Sequence, residues 1–230
     1  MKAVRSLMCL ALFAPATIFA AANQMIELDY RDQDGDTAAY RTRILVTPAF
    51  MRLDYGGDKD DYVLLDRKNN SIYNVTHERR EVMRIVAGPP VLSQPQQWDM
   101  RAEVRPAVLG KNARTVKLFV NGVHCSEVTA QPKLLPDAVA ALKQYRAALA
   151  RVQSETFAAQ PEAQREFCEL AQHVFATSRE LDYGLPLAER YNNGRIRELQ
   201  EYKLRPSNPA LFELPKGYRH YDIRETRGGS

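Results

Sequence analysis

The residues of this chain with the widest chemical scope are few. They are Cys125 and Cys168, the histidines His77, His124, His173 and His220, the acidic run Asp58-Lys59-Asp60-Asp61, and the arginines Arg41, Arg43 and Arg52. Two thiols allow one pairing, a disulfide closing a loop of about 43 residues. The alternative is two buried free thiols, which pack as small apolar groups. A Cys/His metal site is not expected. His124 precedes Cys125, so on a strand the two point to opposite faces. His173 follows Cys168 by five residues, a poor spacing for one helical face. The acidic run lacks the further spaced ligands of a calcium loop and reads as an exposed turn. Arg41, Arg43 and Arg52 read as the solvent face of strands, with a strip for lipid head groups as the second reading. His77 lies in the charged turn "HERR" and reads as a surface residue. Tyr62, Tyr73 and Trp98 read as core or as an aromatic girdle. The sequence has no serine nucleophile motif, no H-E-x-x-H, no glycine-rich phosphate loop and no C-x-x-C. The expectation is therefore a protein that is not an enzyme, with no catalytic residues, no metal and no cofactor.

The elements that must position these residues begin after a leader. "MKAVRSLMCLALFAPATIFAAANQ" has Lys2 and Arg5, an apolar run over 7–14, the breaker Pro15, and Ala20 and Ala22 as an A-x-A site. That is the layout of a secretory signal peptide over 1–22. Cys9 lies inside its apolar run, with too little before it to serve as a lipid-attachment cysteine. Cleavage would lower the formal charge from +4 by the two basic residues of the leader. The remaining balance argues against nucleic acid, which asks for a basic stripe. No second apolar run is long enough to span a membrane. The expected location is the periplasm of a Gram-negative bacterium, with about 208 residues forming one domain over 23–223 and a disordered tail over 224–230.

The first half alternates. In "MIELDY", Ile26, Leu28 and Tyr30 share one face, with Met25 on the other. In "YRTRILV", Tyr40, Thr42, Ile44 and Val46 oppose Arg41 and Arg43. "DYVLLDRKNNSIYNVTHERREVMRIV" reads as three strands joined at Asn69-Asn70 and at His77 to Arg80. "WDMRAEV" alternates Trp98, Met100, Ala102 and Val104 against Asp99, Arg101 and Glu103. "TVKLFVNGVHCSEV" follows, with Asn121-Gly122 at a bend or bulge. Strands this close in sequence favour an antiparallel meander. The pattern then turns helical. Leu135, Val139, Leu142, Leu149 and Val152 recur at helical spacing behind Pro136. A second helix is expected from Pro161 to Leu181, stopped by Gly184. Asn193-Gly194 marks a hairpin. Strands, a helical pair and more strands predict an α+β fold, with the helical pair packed on an antiparallel sheet.

The end of the chain resembles a known group. Gly184-Leu185-Pro186, the hairpin after it, and "FELPKGY" with Phe212, Pro215, Gly217 and Tyr218 are similar to the close of a family of exported bacterial proteins in the LolA-like (lipoprotein-carrier) superfamily. "ILVTPAFMRLDYG", "YVLLDRKNNSIYNV" and "NGVHCSEV" resemble its earlier strands. The resemblance implies a strongly curved antiparallel half-barrel with helices on its concave face, enclosing an apolar cavity for acyl chains. Phe212 and Tyr218 are expected to anchor the last segment by burial. The insertion over 134–182 and the cysteine pair depart from the classical carriers and bring two readings forward. One is a non-enzymatic binding protein whose partner is a lipid or lipoprotein acyl chain. The other is a cell-envelope interaction protein with a filled core, whose partner is an envelope protein. The residues that would bind a ligand are unassigned by sequence.

Overall fold

A computed structural model describes residues 24–108 and 112–224. The leader, most of the tail and residues 109–111 lie outside the described residues. Twelve strands form one open sheet that is antiparallel except at one edge. The first meander holds β1 (Gln24–Gln33), β2 (Tyr40–Val46), β3 (Phe50–Asp54), β4 (Tyr62–Asp66), β5 (Ser71–Thr76) and β6 (Glu81–Val86). The second holds β7 (Met100–Pro106), β8 (Arg114–Val120), β9 (Val123–Gln131), β10 (Leu185–Tyr191) and β11 (Ile196–Pro206). They join where β1 pairs with β11, from Gln24↔Pro206 to Gln33↔Ile196. The last strand, β12 (Arg219–Asp222), adds in parallel to β6. Positive φ at Asn70, Arg80 and Gly194 makes the predicted turns. Asn121-Gly122 is the tight hairpin between β8 and β9, with both residues at positive φ, so one run read as bent is two strands.

Helix α1 (Pro136–Ala158) lies between β9 and β10 in sequence and packs on one face of the sheet. Ala138, Ala141, Leu142, Ala148 and Val152 meet Leu28, Tyr30, Ile44, Met51, Leu65, Ile72 and Ile85 in the main core. Three of these helix residues are alanine, so the backbone can sit close to the sheet. Asp137 in the first turn is paired at 2.9 Å with Arg67, which ties the helix start to the loop after β4.

The second helix is shorter and more broken than the periodicity suggests. A 3₁₀ turn at Glu162–Gln164 leads to α2 (Phe167–Leu170), a π turn at Ala171–Phe175 and a 3₁₀ turn at Arg179–Tyr183. Leu170, Ala171, Val174 and Leu181 are buried, while Phe167 is exposed. The segment is fixed at both ends, to β9 by Cys168 bonded to Cys125 and to α1 by Glu180 paired with Arg146. A straight helix does not meet both anchors.

The opposite face of the sheet is covered by the segment from Pro209 to Tyr218. Phe212 and Leu211 are buried against Met25, Leu45, Tyr62, Leu64, Val75 and Val82, and Leu214 and Tyr218 pack on the same cluster. Three polar ties hold this strap. Arg52 Nη1 donates to the Leu211 carbonyl at 2.8 Å, the Tyr62 hydroxyl donates to the Glu213 carbonyl at 2.8 Å, and His77 Nδ1 lies 2.8 Å from the Tyr218 hydroxyl. The role of "FELPKGY" is thus to close the second face of the sheet.

That cover overturns both readings for Arg43 and Arg52, while the solvent-face reading holds for Arg41. Arg41 is exposed, but Arg43 and Arg52 are buried under the strap and converge on the fully buried Asp54 at 2.8 and 2.7 Å. Arg43 also reaches Asp58 at 2.9 Å. Burial acts to raise the Asp54 pKa, and hydrogen bonds from the two guanidiniums outweigh it and hold it low. His77 is likewise no surface residue: it lies half-buried between Tyr62 and Tyr218. Tyr62 belongs to the core, as read.

Gly184 enters β10 at φ +122°, and a Cβ there would meet the Gln131 carbonyl oxygen inside van der Waals contact. Gly184→Ala is expected to destabilise the chain by about 1–3 kcal/mol, read as a lower urea midpoint at an unchanged slope.

Candidate functional site

The site lies between α1, the π turn and the sheet. A cavity of about 220 Å³ is lined by the apolar or aromatic residues Leu53, Leu142, Tyr145 and Leu149. The rest of its wall is polar: Arg146, Gln153, Gln172, His173, Arg195 and Arg197. A second hollow of about 250 Å³ shares Leu53 and Arg197 with the first and opens towards Tyr40, Tyr55 and Tyr62. The two hollows adjoin at Leu53 and Arg197 and together make a groove. The apolar cavity implied by the carrier resemblance is not what the structure holds, because six of the ten lining residues are polar and three of those are arginines.

Each arginine is held differently. Arg146, on α1, bridges two buried carboxylates, Glu180 at 3.1 Å and Glu189 at 2.9 Å. The Tyr191 hydroxyl donates to Glu189 at 3.0 Å, and the Ser126 hydroxyl lies 3.4 Å from Glu180. Arg197, on β11, makes a bidentate pair with Asp32 at 2.7 and 2.9 Å and lies over the Tyr30 ring. Arg195 is held least. Its Nε is 3.9 Å from Asp34, and its guanidinium lies 5.3 Å from the centre of the Tyr191 ring. His173 Nε2 is 3.1 Å from Glu169 Oε2. Gln153 and Gln172 have no hydrogen-bond partner among the described residues.

The two buried carboxylates titrate in opposite directions. Burial raises both. For Glu180 it wins, helped by the neighbouring Glu189 charge and opposed chiefly by Arg146. For Glu189 the charges of Arg146 and Arg197 outweigh burial, and its pKa is lowered. Both lie behind Arg146, at 3% and 1% exposure, so neither faces the groove as an acid or base. Burial raises the Tyr30 and Tyr191 hydroxyls far above the ordinary tyrosine value, so both stay neutral donors.

The one residue pair named from sequence, Cys125 and Cys168, is a disulfide joining β9 to α2, with its Cα atoms 5.2 Å apart. It packs with Val120, Ala171 and Trp98 beside the groove, and it does not line it. The groove residues come from β3, α1, the π turn and the β10–β11 hairpin. Sequence reading weighed His173 only as a metal ligand and did not single out Arg195 and Arg197. The one signal was the density of arginine around Asn193-Gly194, in "YNNGRIRE".

No family model matches the chain, and no curated protein is similar to it in sequence. Among solved structures, PNGF-II in its P21 crystal form aligns with a TM-score of 0.43 at 13% identity, over 89% of this chain and 32% of that one. Its C2 crystal form aligns with a TM-score of 0.43 at 14% identity, over the same shares. This chain therefore spans about a third of the PNGF-II chain. NE2245 from Nitrosomonas europaea, a LolA superfamily protein, aligns with a TM-score of 0.31 at 8% identity, over 85% of this chain and 92% of that one. At these scores the likeness adds nothing to the chemistry of the groove. No helix among the described residues is long and apolar enough to cross a membrane.

Proposed function

We propose that this chain is a non-enzymatic binding protein of the cell envelope, exported to the periplasm, which holds an amphiphile with an anionic head in the groove between α1 and the concave face of the sheet. One observation carries the reading: the cavity wall combines Leu53, Leu142 and Leu149 with Arg195, the least restrained of its three arginines, and with Gln153 and Gln172. The lining is more polar than that of an ordinary ligand pocket, which suits an amphiphile with a charged head rather than a purely apolar ligand. The cavity is small, so the ligand is a medium-length chain or the end of a longer acyl group emerging towards Tyr40 and Tyr55. A disulfide supports an oxidising compartment. The shielding of Glu180 and Glu189 behind Arg146 supports binding over catalysis, since a proton-transfer group must reach its substrate.

The test is native mass spectrometry of protein purified from periplasm, followed by titration with decanoate and with decanol. One decanoate per chain is expected, with decanol bound at least tenfold more weakly. Arg195→Gln should remove that preference, and Leu149→Trp should abolish binding of both. A bare chain that takes up neither compound, nor extracted envelope lipid, would leave the filled-core interaction protein as the reading.

A further inference from the structure

We propose that β7 is a self-complementary edge through which two copies of this chain pair, antiparallel, about a twofold axis at Ala102. β7 ends the sheet order, and among the described residues nothing pairs with its outer side. It runs in unbroken register with β8, from Met100↔Val120 to Pro106↔Arg114, and all seven residues are exposed. Edges of this kind are usually blunted by bulges, short length or inward charges. The opposite edge, β12, is only four residues long.

The backbone parity sets which groups are available. Asn121 N donates to the Asp99 carbonyl, and Ala107 N donates to the Ala113 carbonyl. Odd-numbered residues of β7 therefore bond to β8, and Met100, Ala102 and Val104 turn their N–H and C=O groups outward.

The side chains then choose the register. The stretch reads Asp-Met-Arg-Ala-Glu-Val-Arg over 99–105. About an axis at Ala102, Asp99 faces Arg105 of the second copy, Met100 faces Val104, and Arg101 faces Glu103. By symmetry that gives four opposite-charge pairs on one face and a Met100–Val104 strip on the other. Neighbouring registers are worse. An axis at Glu103 sets Glu103 against itself and Arg101 against Arg105. An axis at Arg101 sets Arg101 against itself and Asp99 against Glu103. An axis at Val104 sets Ala102 against Pro106, which has no N–H to donate. Like charges directly opposite destabilise a strand pair, and opposite charges stabilise it. In the single chain these charges pair within the strand, Arg101 with Asp99 at 3.0 Å and Arg105 with Glu103 at 3.5 Å, all more than half exposed. Met100 and Val104, 43% and 47% exposed, are the apolar groups the pairing would bring together.

Sedimentation across a concentration series tests the proposal. The full chain should show a reversible monomer–dimer equilibrium. Arg101→Glu should weaken it by roughly tenfold or more, because a carboxylate at that position then faces Glu103 of the second copy. Arg101→Glu with Glu103→Arg should restore it, because in this register all four charged pairs are again opposite and no like charges meet. Amide exchange at Met100, Ala102 and Val104 should slow in the dimer. A chain that stays monomeric at every concentration overturns the proposal, as does a dimer that Arg101→Glu leaves unchanged.

Discussion

Arg146→Met should lower the stability of this chain by about 3–5 kcal/mol, the range for leaving buried charge without its partner. The variant keeps the length of the side chain and removes the cation that Glu180 and Glu189 share. The sign of its pH dependence follows from the titrations. In the native chain Glu189 has a lowered pKa, so it contributes stability that is present above the ordinary glutamate value and lost as the pH falls through its own. Glu180 has a raised pKa, so its contribution is full below the ordinary value and is lost as the pH rises through its own. Without Arg146 both carboxyls rise. The deficit should therefore be largest at neutral pH and shrink as the pH falls and the carboxyls accept protons, closing only below the lowered pKa of native Glu189. Urea unfolding at several pH values reads this directly. Adding Glu180→Gln and Glu189→Gln should recover most of the loss. A deficit below about 1 kcal/mol at neutral pH would mean that water reaches the cluster and solvates the two carboxylates.

The second large effect is at the disulfide. Replacing Cys125 and Cys168 by alanine should cost about 4 kcal/mol, from the loop that the bond closes across a sequence separation of 43. For a chain of this size that is a fall of roughly 10 °C in Tm. Reduction of the native chain should reproduce it. The loss should be local in its consequences. The bond anchors α2 and the π turn, so His173 and Gln172 lose their fixed place at the cavity wall while the first meander keeps its core. Decanoate affinity should fall with the bond broken, even at temperatures where the fold persists. Unchanged melting under reduction would show that the buried contacts of Leu170, Ala171 and Val174 hold the segment alone.

Local pattern revealed the two meanders and α1, and long-range chemistry hid the rest. Alternation over β1 to β6 and turn residues at Asn70, Arg80 and Gly194 are short-range signals, and each lies where it was read. The α+β class follows from them. The burial of Arg43 and Arg52 was hidden because alternation assumes one wet face, and here α1 covers one face and the strap over 209–218 the other. The broken second helix was hidden because its course is set by Cys125 and Arg146, which lie in other elements. The groove was hidden most deeply. Leu53 and Arg195 are far apart in sequence and meet only because β1 pairs on one side with β2 and on the other with β11.

That join between β1 and β11 also orders events in time. β1 begins at Gln24, and its second neighbour is complete only at Pro206. A chain made from its N-terminus can build the first meander early, yet β1 keeps a bare edge until almost the whole length has emerged. Contacts of such high sequence separation slow folding, because loop closure comes before its reward. They also leave an unfinished chain unable to lock. A pairing that needs β1 and β11 together is a delay built into the topology.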